Sequence, residues 1–299
     1  MITAKIVLSA VGVVAVGVAV AVFAPPMVPD TPLPTGPEAI ARGEYIFNAG
    51  GCAACHQEKD ATGPSGGHEL PAETPFGTNK FHVPNITPDK ETGIAGWTGK
   101  DFLRALKHGR KPSGGFYWPA FPFRTYKNMT DQDVLDVGAY LMSLPAISNK
   151  VPPHELSPIQ FSWMMAGWNI LADVMEGTPP PFKSDDPKQQ RGAYLARALG
   201  HCGECHTPRN KLGMMKLAEE FAGVDKGAPA INSEGIATWV EYDFSNLLTA
   251  GLTPDGDAVG GEMAKVVDHT KLLKPEDQAA YAAFFLRNNK PAASGGEGK

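Results

Sequence analysis

The pentapeptide Cys-Xaa-Xaa-Cys-His occurs twice in this chain, as Cys52-Ala53-Ala54-Cys55-His56 and as Cys202-Gly203-Glu204-Cys205-His206, and the two copies use every cysteine present. The pattern is the attachment signature of a c-type haem: two thiols hold the macrocycle and the adjacent histidine offers a ring nitrogen to the iron. A chain with two such motifs must fold around two flat cofactors, each of which supplies part of a core. The expected cofactors are therefore two covalently bound haem c groups, with Cys52, Cys55, Cys202 and Cys205 as attachment points and His56 and His206 as iron ligands.

Other uses of the motif fit less well. A tetrahedral zinc site needs paired ligand clusters, whereas these pairs stand 150 residues apart, each with its own downstream companions. A thioredoxin-like dithiol follows a strand and opens a helix; here a helical pattern precedes each motif and ends there. A disulfide across two residues would leave the histidine unexplained in both copies.

A formal net charge of −5 argues against a nucleic-acid partner. Residues Ile6 to Ala24 carry no charge over nineteen positions, which as a helix would span roughly 28 Å, about one hydrocarbon thickness. With Lys5 the only preceding charge, the expectation is an N-terminal transmembrane helix with the body outside the cytoplasm. A signal peptide cleaved after Ala19-Val20-Ala21 is the competing reading. Either way the protein is expected at the bacterial inner membrane, facing the periplasm. The proline-rich stretch from Pro25 to Pro34 reads as a stiff spacer holding the body off the membrane.

The rest of the chain is a duplication. Gly93-Ile94-Ala95-Gly96-Trp97 aligns with Gly235-Ile236-Ala237-Thr238-Trp239, and the register continues without gaps through Asp101-Phe102 and Asp243-Phe244 to Gly109 and Gly251, at a constant offset of 142. Upstream, Arg42-Gly43-Glu44-Tyr45 matches Arg191-Gly192-Ala193-Tyr194. Downstream, Thr130 caps a helix with Val134, Val137, Tyr140 and Leu141 on one face, and Lys274-Pro275 opens its counterpart with Ala280, Phe284 and Phe285. Matched positions for Trp97 and Trp239 place each beside its haem, although a plain core role is the alternative.

The expected fold class is all-α: two tandem haem-binding domains with long irregular loops. Residues 1–37 form the anchor and spacer, 38–145 the first domain, 146–184 a connector, 185–290 the second domain and 291–299 a disordered tail. The connector's aromatic middle, Phe161 to Leu171, reads as a helix clamping the domains together, or as a docking surface for another subunit.

Haems of this kind commonly take a methionine sulfur opposite the histidine. Met263, in Gly260-Gly261-Glu262-Met263, is the candidate in the second half. The offset of 142 puts Phe121 opposite it, and phenylalanine has no donor atom. The first iron is left with Met129, with a histidine such as His68, His82 or His108, or with an open or water-bound position. The two haems then need not share a potential.

The chain resembles the membrane-anchored cytochrome c subunits of bacterial periplasmic alcohol, gluconate and aldehyde dehydrogenases. The resemblance rests on Asn85-Ile86-Thr87-Pro88-Asp89, Glu91 to Trp97, Pro119-Ala120-Phe121-Pro122, Arg191 to Leu195, Gly200 to Asn210 and Gly261-Glu262-Met263, and covers residues 38–290. It implies haem c at both motifs, His56 and His206 as proximal ligands and Met263 as a distal one. Relatives carry methionine at the place of Phe121, and many carry three haems. The implied role is electron transfer from a dehydrogenase catalytic subunit to a downstream cytochrome, quinone or terminal oxidase, with no catalytic site of its own. A peroxidase-like enzyme with an open first haem is the alternative.

Overall fold

The computed structural model describes residues 23–74, 77–158 and 160–289. The anchor expected over residues 6–24 and the tail at 291–299 fall almost wholly outside these. Among the described residues no helix is long and apolar enough to cross a membrane.

Each half is closed by a crossing of its first and last helices. In the first half α1 (Pro37–Ala49) leads into α2 (Cys52–His56) and is crossed by α5 (Asp131–Ser143). The crossing is close because Gly43 lies against the Asp136 carbonyl and Tyr140, where a methyl group would overlap both. In the second half α7 (Pro187–Tyr194) is crossed by α11 (Pro275–Phe285), and Gly192 meets Ala280 and Phe284 in the same way. A side chain at either glycine would force the helices apart, which explains the matched Arg-Gly pairs.

The tryptophan helices keep the offset of 142 residue for residue. Helix α3 (Gly99–His108) and helix α9 (Glu241–Ala250) both end on left-handed glycines, Gly109 at φ 60° and Gly251 at φ 71°. At their starts the Asp101 and Asp243 carboxylates accept from the backbone N–H of Thr98 and Val240, both at 2.9 Å; only Thr98 can return the bond through its own hydroxyl. The register runs on into a tight reversal in which Tyr117 N–H donates to Gly109 and Val259 N–H to Gly251, both at 2.8 Å. After that the halves diverge. The first continues into the short α4 (Phe123–Tyr126), the second into the ten-residue α10 (Gly261–Thr270).

The chain is not purely helical. Strands β1 (Glu69–Thr74) and β2 (Gly77–His82) pair antiparallel inside the loop after the first motif. Pro71 and the polar composition hide the hairpin from a reading based on apolar alternation; it is held at the surface, and the connector extends it through a bridge from Lys80 to Glu155. The connector thus begins as part of the first half: Asn85 donates to the Ile147 carbonyl at 2.7 Å and Asn79 accepts from Ser157 N–H at 2.9 Å. Its helix, α6 (Met164–Met175), touches both halves. Beside its C-terminus Glu176 receives the buried Arg124 guanidinium at 2.6 Å, and Trp168 donates to the Leu212 carbonyl at 3.0 Å. The outer face of α6 leaves Ile170, Leu171 and Val174 exposed.

The proline-rich stretch does not stand away from the body. Its proline-freed carbonyls accept from arginines, Pro26 from Arg104 at 3.3 Å and Ala24 from Arg110 at 2.8 Å, while Leu33 packs over Gly138 and Val28 joins the core.

One further departure lies just ahead of the second motif. Helix α7 runs on into a π turn at Leu195–Leu199. Gly50 N–H donates to Ile46, four residues back, whereas Gly200 N–H donates to Leu195, five back. The π turn absorbs one extra residue, so the offset between halves is 149 at Arg42 and Arg191 but 150 at Cys52 and Cys202.

Candidate haem-binding site

In each half the motif histidine is anchored by its inner nitrogen. His56 Nδ1 lies 2.9 Å from the Pro84 carbonyl and His206 Nδ1 lies 2.6 Å from that of Pro229. A carbonyl can only accept, so Nδ1 carries the proton and Nε2 keeps its lone pair for a metal. Burial pushes the His56 imidazole down to about 4, with the Pro84 carbonyl acting in the opposite sense, and burial likewise lowers His206. Both rings are therefore neutral at physiological pH.

Two glycines make this anchoring possible. Gly66 N–H donates to the His56 carbonyl and Gly223 N–H to that of His206, each at 2.8 Å. Both take positive φ, 75° and 80°, and a Cβ on either would collide with the Val83–Pro84 or the Pro229–Ala230 backbone. The loops then turn tightly into the tryptophans: Ile94 N–H donates to Thr87 at 2.9 Å, Ile236 N–H to Asn232 at 3.2 Å, and each Trp N–H to its isoleucine carbonyl. Trp97 lies edge-on to Phe102 at 5.2 Å and Trp239 to Phe244 at 6.0 Å, both half-buried against the core.

The cysteines suit thioether attachment better than thiolate chemistry. Burial pushes the Cys52 and Cys202 thiols up to about 12 and raises Cys55 and Cys205 as well. A redox dithiol or zinc site needs the opposite shift. Among the described residues no cluster of three or more His, Cys, Asp or Glu side chains could hold a free metal ion. Neutral paired thiols, a histidine with a free Nε2 and a loop of close-approach glycines are the groups that a covalently held haem requires.

Met263 is the third residue of α10, half-buried, next to Glu262, whose charge acts on both Cys55 and Cys205. Helix α10 thus starts near both motifs. Phe121 packs against Tyr117 and Tyr126 at 5.4 and 5.8 Å. Met129 is 4% exposed in the shared core, immediately before the Thr130 cap; Leu273, equally buried, holds the same place before Lys274. Of the histidines, His82 is buried in the hairpin, 3.2 Å from Glu155, and His108 is exposed at the end of α3.

The sequence reading missed the junction between the motifs. Tyr126 and His201 rings meet edge to face at 5.6 Å, and both side chains donate to the Gly50 carbonyl, at 3.3 and 3.2 Å. Thr125 donates to Glu204, inside the second motif. His201 was visible as the residue before Cys202 where the first half has glycine.

Comparison with known proteins agrees with this arrangement. A family model described as cytochrome c matches residues 40–145. The chain is 42% identical over 265 residues to a diheme cytochrome c-type protein of Cereibacter sphaeroides, covering 83% of this chain and 85% of the relative. It is 34% identical over 277 residues to the fructose dehydrogenase cytochrome subunit of Gluconobacter japonicus, and 32% identical over 266 residues to the gluconate 2-dehydrogenase cytochrome c subunit of Pantoea cypripedii. These matches cover 89% and 83% of this chain but only 56% and 59% of the two subunits.

Proposed function

The chain belongs to the cytochrome c family, and on that premise we propose that it is a two-haem electron carrier serving a periplasmic dehydrogenase. The observation that carries this reading is the repeated motif with its histidine turned by a proline carbonyl so that Nε2 is free. When bound, haem iron supplies the one-electron chemistry; the polypeptide binds, orients and tunes it. Cys52, Cys55 and His56 would hold the first haem, and Cys202, Cys205 and His206 the second. Met263 would give the second iron a thioether ligand, and Trp97 and Trp239 would wall the two sites.

The two sites are proposed to be unequal. Phe121 stands where the register places the partner of Met263, and Met129 packs where leucine packs in the other half. The first iron then lacks methionine and has the lower potential, because a thioether ligand favours the reduced state. Electrons would run from a dehydrogenase through the first haem to the second, and on to a cytochrome, quinone or terminal oxidase. The dehydrogenase partner is inferred from the relatives that are subunits of such complexes. We place the body outside the cytoplasm, with the apolar N-terminal stretch as its anchor.

The test is made on the full-length protein matured with haem. Its mass should exceed the polypeptide by two haems, a redox titration should resolve two components, and only one should show the methionine–iron charge-transfer band. A colourless product, a single haem, or two identical methionine-ligated components would overturn the reading. Co-purification of a dehydrogenase catalytic subunit from native membranes would support the partner; isolation with an unrelated oxidase alone would count against it.

A further inference from the structure

The residue before the first cysteine pair is Gly51, at φ +59°, and the residue before the second is His201, at φ +41°. Both lie in the left-handed region, where glycine is free of strain and a histidine is not. The first half shows that glycine closes this turn. The second half nevertheless carries a bulky side chain there, so the imidazole has a use that the backbone does not require.

Its contacts show that use. His201 Nε2–H donates to the Gly50 carbonyl at 3.2 Å, across the boundary between the halves. Gly50 is two residues before Cys52 and His201 is one residue before Cys202. The bond is therefore a direct link between the polypeptide at one attachment motif and the polypeptide at the other. Tyr126 donates to the same carbonyl at 3.3 Å and packs edge-on to the imidazole at 5.6 Å, which fixes the ring. Burial lowers the pKa of His201 against the opposing pull of Glu204, so the ring stays neutral within the boundary.

We propose that His201 is a positioning residue for electron exchange between the two halves: it fixes the two haem-attachment motifs against one another and supplies the bonded bridge between them through the Gly50 carbonyl. The proposal rests on the two-haem reading above. Small displacements of reacting groups carry large rate penalties, and a bonded contact also couples donor and acceptor better than a gap.

The experiment uses the full-length protein with both haems in place. One haem is reduced rapidly by a photo-generated flavin donor, and the spectral change that follows reports exchange with the other. The potentials of both components and the thermal midpoint are measured on the same samples. H201G installs the residue that the first half already uses, and H201N keeps a donor on a residue that tolerates left-handed backbone. H201G should retain both haems, both potentials and the thermal midpoint while exchange slows about tenfold; H201N should recover part of the rate. An unchanged rate in H201G would overturn the proposal. So would loss of a haem or a fall in midpoint, which would make His201 a structural prop, or a shift in potential large enough to account for the rate. A wild-type protein that shows no exchange would instead remove the relay on which the proposal rests.

Discussion

Tyr45 lies on the helix that leads into the first motif, yet its hydroxyl donates at 2.6 Å to Asp277, on the closing helix of the other half. The same oxygen accepts from Lys274 N–H at 3.2 Å. Tyr194 does the reciprocal work, accepting from Thr130 N–H at 3.0 Å and donating to Asp133. Each half therefore completes the start of the other's last helix, where orphan N–H groups need partners. The duplicated halves are interlocked by the same residue type at the same register.

Removing either hydroxyl should loosen the whole molecule. Tyr45→Phe and Tyr194→Phe each lose a bond to a carboxylate, worth about 1–3 kcal/mol. Chemical unfolding of the haem-loaded protein should show a single transition shifted to lower denaturant in both variants. Separate transitions for the two halves in the double variant would show that interlocking also supplies cooperativity.

Asp277 should dominate the acid limb of stability. Burial opposes its ionisation, but bonds from Arg191 and Tyr45 outweigh that and hold its pKa below the ordinary aspartate value. A depressed carboxylate contributes stability that is complete above about pH 4 and is lost as pH falls through the lower folded value. Asp277→Asn should be less stable than the parent by roughly 2 kcal/mol at neutral pH, and the two unfolding midpoints should converge as the solution is acidified below pH about 4. A constant gap down to pH 2 would contradict the assignment.

The glycine crossings admit no side chain. Gly43→Ala and Gly192→Ala should each cost about 2–4 kcal/mol by overpacking against a carbonyl that cannot retreat, read as a fall in thermal midpoint. Gly167→Ala, on α6 with open space around it, should be neutral or slightly stabilising.

Ligand exchange between the halves should move one haem at a time. Met263→Leu should abolish the methionine–iron band and lower the potential of one component. Phe121→Met should add a second band and raise the other. Spectra and redox titrations of both variants report the outcome; a band that survives in Met263→Leu would assign the sulfur to another residue.

Much of this was legible because duplication writes the fold twice. The offset of 142 fixed α3 against α9 down to their glycine caps, and the caps at Thr130 and Pro275 marked the closing helices. The hairpin was not legible: Pro71 and its polar neighbours lack strand alternation, and the pairing partner at Glu155 is far along the chain. The spacer misled because proline-rich sequence reads as extended and free, while Val28 and Leu33 supply the apolar side chains that bind it down. The junction at Gly50, Tyr126 and His201 joins residues that only the packing of two halves brings together, and no local pattern encodes it. The π turn could have been read from the offset changing between Tyr194 and Cys202.

That extra residue makes the halves non-interchangeable despite their shared plan. Each residue turns a helix by about 100°, so a copy of the first half's entry helix spliced in place of residues 187–201 would deliver Cys202 to the wrong side of the axis. Chimaeras or shuffled repeats of this protein have to carry the insertion along with the motif that it serves.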